Sequence, residues 1–354
     1  MELQRRLDAF ARLSDFLKSV ATCSDNDLPA GLEEHYHKFC ELIPGLYLHN
    51  GWFAEEFVRY QLGSLAKATT EENLNTWIGK YPQIESLKGE KTVAVIMAGN
   101  VPFVGFSDFI SVLITGHKFL GKLSSKDNIL PKAVADVLIT IEPEFENYIL
   151  FTDGKLSNYD AVIATGSDNS ARYFEYYFSG VPNIIRRNRT SVAVLYGDET
   201  KERLEALSDD VFLYFGLGCR NVSKIFVPED FDLNRIFEAF YKYRHIIDYN
   251  KYANNYDYNR AIYLMNGEQF LDNGFVMLKE SLDLVSPTAV VYYQKYSAPS
   301  KIPAYLDAYR DKIQCIVSDS VIEGYQTVPL GMSQVPMLWE YPDNIDLIDF
   351  LSKI

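Results

Sequence analysis

The sequence predicts an α/β protein built on a doubly wound parallel sheet, with a helical region before it and a second α/β segment after it. Three patterns indicate this fold class. Residues 92–98 (TVAVIMA) form a continuous apolar run, typical of a strand covered on both faces. Short apolar runs then alternate with helical patterns as far as residue 196. Residues 1–88 instead repeat apolar side chains every three or four positions, which indicates helices.

The alternation after residue 91 assigns the individual elements. Strands are predicted at residues 92–98, 118–123, 161–165, 183–185 and 191–196, with helices ending at residue 113 and covering 132–141 and 167–178. A further helix is predicted over 200–215, ending where Gly216 and Gly218 allow the chain to turn. The second α/β segment is predicted to run through residues 223–227, 233–243, 261–265 and 289–293, and the tail to end in a short amphipathic helix.

Composition and charge exclude several classes of protein. The 354 residues are 47% hydrophobic, enough for a large buried core, so a disordered chain is excluded. A net charge of −14 argues against an overall basic surface for nucleic acid or for anionic membranes. The sequence has no apolar run long enough for a membrane span and no signal-peptide pattern. Four scattered cysteines without metal-like spacing predict reduced thiols, no metal site and a cytoplasmic protein.

Two segments are candidates for binding a nucleotide. Gly166 and Ser167 directly follow the strand at 161–165 and begin a helix, whose free N–H groups favour a pyrophosphate. The same residues also fit an ordinary helix N-cap. Lys122 and Ser124 lie at a strand end, where ligands bind in open α/β sheets, and suit a ribose or its phosphate. Solvated lysines at a strand end explain that pattern equally well.

Two residues are candidates for the chemistry itself. Cys219 stands between Gly218 and Arg220, and positive neighbours favour the thiolate that attacks carbonyl carbon. A lone cysteine is also commonly a small buried hydrophobe. Asn100 follows a buried strand, where its amide would donate a hydrogen bond to a developing oxyanion. A turn residue in this position needs no such role.

Five blocks of sequence, in this order and at these intervals, together resemble the LuxC-like fatty acyl-CoA reductases, a branch of the aldehyde dehydrogenase superfamily. The blocks are IMAGNVPFVGF (96–106), GHKFLGKLSSKD (116–127), IATGSDNSARYF (163–174), RRNRTSVAVL (186–195) and FGLGCRNVSKIFVP (215–228). The similarity runs from about residue 92 to the C-terminus. It implies an aldehyde-dehydrogenase-like fold, with a parallel cofactor domain and a second α/β catalytic domain.

The resemblance assigns roles to both groups of candidates. It implies that Cys219 is the catalytic nucleophile and that Asn100 is the oxyanion donor. The resemblance also implies that the cofactor is NADPH. Lys122 and Ser124 would contact its adenosine ribose or the 2′-phosphate, and Gly166 and Ser167 would lie against its pyrophosphate.

The implied reaction is the NADPH-dependent reduction of a long-chain fatty acyl-CoA to a fatty aldehyde through an acyl-cysteine intermediate. An acyl-protein synthetase partner and a homo-oligomer are implied as well. Two alternatives stay open: an aldehyde dehydrogenase working in the oxidising direction, and a catalytically silent scaffold that binds a nucleotide.

One departure from the superfamily bears on the direction of the reaction. Hydrolytic aldehyde dehydrogenases have a deacylating glutamate in the block that matches residues 185–190, where this chain reads IRRNRT. Without that base we expect slow hydrolysis and transfer to or from CoA. The arginines of this block either receive phosphates or form a solvated loop. Near the place of the superfamily carboxylate that holds the nicotinamide ribose lie only Glu280 and Asp283.

These assignments divide the chain into four regions. We predict a helical region over 1–88 that packs on the cofactor domain, a dinucleotide-binding domain over 89–210 and a catalytic domain over 211–324 that carries Cys219. Residues 325–354 are predicted to return to the cofactor domain or to form an oligomer interface.

Overall fold

Two α/β units are present in the computed structural model, which describes residues 1–87 and 90–354. One unit comprises Met1–Asn188 and Val335–Ile354, and the other comprises Arg189–Gln334. The predicted fold class is confirmed: the first unit holds a helical N-terminal region and a wholly parallel sheet, and the second holds a further α/β structure. The predicted boundary between residues 88 and 89 lies outside the described residues.

Four helices form the N-terminal region of the first unit: α1 (Leu3–Thr22), α2 (Glu33–His49), α3 (Glu55–Ala68) and α4 (Glu71–Ile78). The apolar repeat noted in the sequence is the buried face of α1. Phe10 and Leu13 on that face are fully or almost fully buried, and the ring of Phe10 meets Phe109 and Phe145 edge to face. The helical region thereby shares one hydrophobic core with the sheet of this unit.

The sheet of the first unit has five strands in the order β3-β2-β1-β4-β5, all parallel. The strands are β1 (Thr92–Ile96), β2 (Lys118–Lys122), β3 (Ile149–Phe151), β4 (Ala161–Thr165) and β5 (Asn183–Arg186), and the intervening helices are α5 (Phe106–Ile114), α6 (Leu130–Ile141) and α7 (Asp168–Tyr177). After β1 the chain adds β2 and β3 on one side of β1, and it then returns to the other side of β1 to form β4 and β5. The order of the strands therefore reverses between β1 and β4.

The continuous apolar run of β1 follows from burial on both faces of the sheet. Val93 and Val95 belong to the core shared with the N-terminal helices, whereas Ala94 packs on the opposite face with Val162 and Ala164. Alternate side chains of a strand point to opposite faces, so a strand covered twice has no position for an exposed polar residue.

The second unit contains a six-stranded sheet in the order β11-β6-β7-β10-β9-β8, parallel except for β8. Its elements are β6 (Thr190–Val194), α8 (Lys201–Phe212), β7 (Val222–Pro228), α9 (Asn234–Phe240), α10 (Asn250–Met265), β8 (Leu271–Asp272), β9 (Met277–Glu280), β10 (Val290–Tyr296), α11 (Ile302–Asp307) and β11 (Ile313–Val317). Because β6 pairs with β7 and β11, the chain divides between residues 188 and 189, earlier than the predicted boundary at 210 and 211. Residues 261–265 are the end of the helix α10.

Of the C-terminal segment 325–354, residues 335–354 belong to the first unit and contain α12 (Leu347–Leu351), whereas residues 325–334 belong to the second unit. His117, directly before β2, is buried and contacts this helix. Its Nδ1 accepts the Lys91 N–H at 3.2 Å, and its Nε2 lies 2.9 Å from the Leu351 carbonyl oxygen. Burial lowers the pKa of His117, which favours the neutral ring with a proton on Nε2.

In the parts of the chain described, no helix is both long and apolar enough to cross a membrane.

A buried ion pair joins β5 to α5 in the first unit. The guanidinium of Arg186 donates to Asp108 Oδ2 at 2.8 Å, and both side chains are about 5% exposed. A second pair, between Arg187 and Glu175, is half exposed. Arg189, in the second unit, donates to the Ile313 carbonyl. Each of the three arginines in the basic block of the sequence therefore has a protein partner.

Candidate active site

The carboxyl ends of three adjacent strands bring together the five candidate residues of the first unit. Lys122 ends β2, Asn100 lies in the loop after β1, and Gly166 follows β4. With neighbouring strands about 4.8 Å apart, the ends of these three strands span about 10 Å. The order of the strands reverses at this edge, which is where open α/β sheets form their ligand crevice.

The loop after β1 presents an exposed Asn100 and is packed closely against the loop after β2. A Cβ atom on Gly99 would lie 2.7 Å from both Cβ and Oγ of Ser124, so only glycine allows this approach. Three residues beyond Asn100, Phe103 has a left-handed backbone with φ +47°. The neighbours of Phe103 must stabilise this left-handed backbone in the loop that carries Asn100.

Asp127 provides part of that stabilisation. Its Oδ2 accepts the N–H of Phe103 at 2.6 Å, and the side chain is only 4% exposed. Its Oδ1 is buried without a hydrogen-bond partner in the described structure. Burial raises the pKa of Asp127 to about 7, against a smaller opposing effect of the Phe103 hydrogen bond.

We expect Asp127→Asn to stabilise the protein at alkaline pH and to leave it unchanged in acid. The folded state retains a proton that the unfolded carboxyl loses, so the wild type loses stability as the pH rises from about 4 to about 7. The asparagine oxygen still accepts the Phe103 N–H but never becomes charged. Urea unfolding at about pH 8 should show a gain of about 1–3 kcal/mol that vanishes near pH 4. A gain of equal size at both pH values would contradict the assignment.

Lys122 and Ser124 both make local hydrogen bonds that orient them. Lys122 Nζ donates to the Gly154 carbonyl at 2.9 Å, which uses one of the three N–H donors of the ammonium group. Ser124 Oγ accepts the Lys126 N–H at 3.2 Å. Among the described residues, these bonds leave two donors of Lys122 and the hydroxyl proton of Ser124 for a phosphate or a ribose hydroxyl.

Gly166 and Ser167 form the start of α7. A Cβ on Gly166 would lie 2.8 Å from Ser170 Cβ and 3.0 Å from the ring of Phe174, so glycine is needed for the helix to begin here. Ser167 is the N-cap, because its Oγ accepts the Ser170 N–H at 3.2 Å. The N-terminus of this ten-residue helix thus faces the carboxyl edge of the sheet.

In the second unit, Cys219 lies in the tight turn of residues 218–221, which we call the cysteine turn. Asn221 closes this turn twice: its N–H donates to the Gly218 carbonyl at 3.1 Å, and its Oδ1 accepts the Gly218 N–H at 2.8 Å. The Cys219 side chain is exposed, whereas Cys315 is buried. A thiol at the surface of a rigid turn is accessible to an electrophile.

The amide of Asn221 also anchors the cysteine turn to the end of α8. Its Nδ2 donates to the carbonyls of Asp210 at 3.1 Å and Leu213 at 2.9 Å. The helix ends at Phe212, earlier than the predicted end at Gly216, because Tyr214 and Phe215 adopt left-handed φ angles of 55° and 58°. The side-chain amide then satisfies carbonyls that a continuing helix would have bonded.

Further polar contacts fix the residues next to Cys219. Ser191 Oγ donates to the Cys219 carbonyl at 3.0 Å and accepts the Cys315 N–H at 3.1 Å, so it ties the cysteine turn to β6 and β11. Arg220 donates to the Ser333 carbonyl. Lys224, five positions beyond Cys219, is buried and donates to the Leu282 carbonyl at 3.0 Å. Burial lowers the pKa of this lysine to about 8.

Sequence reasoning missed four residues that hold these loops. Asp127 holds the loop after β1, and Ser191, Asp210 and Asn221 hold the cysteine turn. All four are short polar residues, which in a sequence are typical of turns and caps. Their signal was weak because only burial separates a structural hydrogen-bond partner from a solvated turn residue. Glu280 and Asp283 are exposed, at the end of β9 and in the segment that follows it.

No protein-family model and no curated protein sequence matches the chain. Solved structures do match it. The NAD-dependent aldehyde dehydrogenase from Sinorhizobium meliloti has a TM-score of 0.63 and 13% identity, covering 91% of this chain and 71% of that one. Aldehyde dehydrogenase 21 from Physcomitrella patens, in complex with the reaction product succinate, has a TM-score of 0.63 and 12% identity, covering 98% and 87%. Indole-3-acetaldehyde dehydrogenase from P. syringae, in complex with NAD+ and IAA, has a TM-score of 0.60 and 12% identity, covering 90% and 72%.

Proposed function

We propose, from the premise that this chain has the aldehyde dehydrogenase fold, that it reduces long-chain fatty acyl-CoA to fatty aldehyde with NADPH. The observation that carries the proposal is the exposed thiol of Cys219, held in a turn that three other side chains anchor. An exposed sulfur on a well-ordered turn suits a nucleophile, which must meet its substrate in a fixed orientation. The finer assignment to fatty acyl-CoA comes from the resemblance of the five sequence blocks to the LuxC-like reductases.

In the proposed reaction the Cys219 thiolate attacks the carbonyl carbon of the acyl-CoA thioester. A carbon–sulfur bond forms to Cys219, and the bond to the CoA sulfur breaks, so that CoA leaves as its thiolate. Asn100 is assigned the hydrogen bond to the oxyanion of the tetrahedral intermediate. After reduction, the cysteine-bound thiohemiacetal collapses and returns the thiolate of Cys219. Overall, acyl-CoA, NADPH and one proton become aldehyde, CoA and NADP+.

The carboxyl edge of the first sheet fits a dinucleotide. Lys122 and Ser124 retain hydrogen-bond donors there, and Gly166 and Ser167 begin a helix whose N-terminus faces the same edge. We assign Lys122 and Ser124 to the adenosine ribose or its phosphate, and Gly166 and Ser167 to the pyrophosphate. When bound, NADPH supplies the hydride that reduces the acyl thioester.

Lys122→Met should weaken NADPH binding by about tenfold and NADH binding by much less, because the ammonium group would offset the charge of the 2′-phosphate, which NADH lacks. The measurement is the dissociation constant of each nucleotide by fluorescence titration. Lys118→Met is the matched control: it removes a lysine from the other end of the same strand, where Lys118 pairs with Glu90. Equal weakening for both nucleotides in Lys122→Met would assign the lysine to the ribose instead.

The proposal is tested by mixing the protein with palmitoyl-CoA and NADPH and following absorbance at the nicotinamide band, free thiol release and aldehyde formation together. We expect all three in equal amounts. Consumption of NADPH without release of CoA would contradict the proposed thioester chemistry.

A second candidate function is the oxidation of aldehydes, the activity for which the similar proteins from Sinorhizobium meliloti and P. syringae are named. The sequence block 185–190 lacks an acidic residue, which disfavours hydrolysis of an acyl enzyme. The two candidates separate in one assay: efficient conversion of aldehyde to free acid with NAD and without CoA would favour oxidation. A silent scaffold would show neither reaction.

The proposed reaction also bears on partners and on location. An acyl-protein synthetase is a suitable upstream partner, because it delivers an activated acyl group. A homo-oligomer and a cytoplasmic location are proposed with it, the latter because a catalytic thiol needs a reducing compartment. Light scattering of the purified protein tests the oligomer.

A further inference from the structure

Asp210, near the end of α8, is buried beneath the segment of residues 331–333. The side chain is fully buried, and its two oxygens accept the N–H groups of Gly331 at 2.6 Å and Ser333 at 2.8 Å. The Ser333 hydroxyl interacts with the same carboxylate. A carboxylate that satisfies several donors of one loop fixes that loop to the helix.

Two separate routes connect Asp210 to the cysteine turn. Its backbone carbonyl accepts a hydrogen bond from the side chain of Asn221. Its carboxylate holds Ser333, whose carbonyl in turn accepts a hydrogen bond from Arg220. The two residues that follow Cys219 are therefore both anchored through one buried aspartate.

The segment of residues 331–333 packs closely on α8. A Cβ on Gly331 would lie 2.8 Å from the Cβ of Ala206, and Gly331 has a left-handed φ of 85°. The segment is thus pressed against α8 beside the carboxylate. Loss of the carboxylate hydrogen bonds should loosen Gly331 and Ser333, because those bonds join the two residues to α8.

We propose that Asp210 is a positioning residue whose carboxylate holds the cysteine turn in one fixed conformation through Ser333 and Arg220. This inference rests on the proposed role of Cys219 as a nucleophile. It does not place Asp210 in contact with a substrate. The carboxylate form is required, since a protonated carboxyl has lost acceptor capacity and cannot satisfy the same donors.

The state of Asp210 depends on pH within the ordinary working range of proteins. Burial raises the pKa of Asp210 to about 6, in spite of the hydrogen bonds from Gly331 and Ser333 that lower it. Its charged neighbours on α8 are Asp209, which raises the pKa, and Arg203. On the other side Asp319 pairs with Arg203 and also accepts the Leu330 N–H. We therefore expect the positioning hydrogen bonds to weaken below about pH 6.

The experiment compares iodoacetamide labelling of Cys219 in the wild type and in Asp210→Asn by peptide mass spectrometry. In this variant the side-chain NH2 replaces one carboxylate oxygen and faces the N–H of Gly331 or Ser333, so at least one hydrogen bond is lost. At about pH 8 we expect labelling about fivefold faster in the variant, as for the loss of a single net hydrogen bond. The ratio of the two labelling rates should fall to about one near pH 5, where Asp210 of the wild type is itself protonated. Turnover of acyl-CoA should fall about tenfold with little change in KM, because orientation is lost and binding is not.

Two controls separate positioning from general instability. Asp209→Asn changes the adjacent carboxylate, which pairs with Lys242, and should leave both rates unchanged. Arg220→Met breaks the far end of the Ser333 route without altering the core and should raise Cys219 labelling in the same direction as Asp210→Asn. Labelling needs neither substrate nor cofactor, so it tests the inference even if the proposed reaction fails. Wild-type labelling rates at every pH, or simultaneous labelling of the buried Cys315, would overturn it.

Discussion

Replacing Cys219 by alanine is expected to lower the NADPH-dependent reduction of acyl-CoA by at least about 10⁴-fold, the scale of loss when a covalent nucleophile is removed. Without the sulfur no acyl enzyme forms, and direct reduction of a thioester lacks the activation that the enzyme provides. NADPH binding should be retained, because the residues assigned to the nucleotide lie in the first unit and are unchanged. The measurements are steady-state turnover and nucleotide titration on the same preparation.

Cys23→Ala is the matched control, since Cys23 is the other exposed thiol among the four cysteines. It should retain wild-type turnover. A mass increase equal to the acyl group, found on the peptide that contains Cys219 after mixing with palmitoyl-CoA in the absence of NADPH, would provide direct support. Full turnover in Cys219→Ala, or an acyl group on another cysteine, would refute the assignment of the nucleophile.

Asp108→Ala is expected to lower the free energy of unfolding by about 3–5 kcal/mol, the largest effect on stability that we anticipate. The substitution leaves the guanidinium of Arg186 buried without its carboxylate partner, and α5 and β5 lose the pair that joins them. An isolated buried charge is costly because neither water nor a counterion compensates it. Urea unfolding followed by circular dichroism measures the change.

Two further variants define the cause. Glu175→Ala breaks the half-exposed pair with Arg187 and should cost no more than about 1 kcal/mol, because solvent screens that interaction. The double variant Asp108→Leu with Arg186→Met removes both charges and should recover most of the lost stability. If the double variant is as unstable as Asp108→Ala, the loss comes from packing at Asp108 and not from the unpaired charge.

The strongest sequence patterns predicted the architecture because they depend on local periodicity. The apolar run at 92–98 is β1, and the alternation after it is the parallel sheet, since a strand buried on both faces leaves a continuous apolar signature. The N-cap at Ser167 was also readable, because a cap needs only neighbouring residues. The strands β3, β9 and β11 were not predicted, because none of them contains a continuous apolar run as long as that of β1.

The sequence by itself determined the fold class and the helical N-terminal region, and it singled out Cys219 as the proposed nucleophile. Only the tertiary structure decided what holds that cysteine. Ser191, Asp210 and Asn221 lie between 2 and 28 positions from Cys219 along the chain, yet they converge on one turn and on the residues beside it. Their hydrogen bonds join separate strands, a helix end and a loop, and such long-range partners leave no periodic trace in the order of the amino acids.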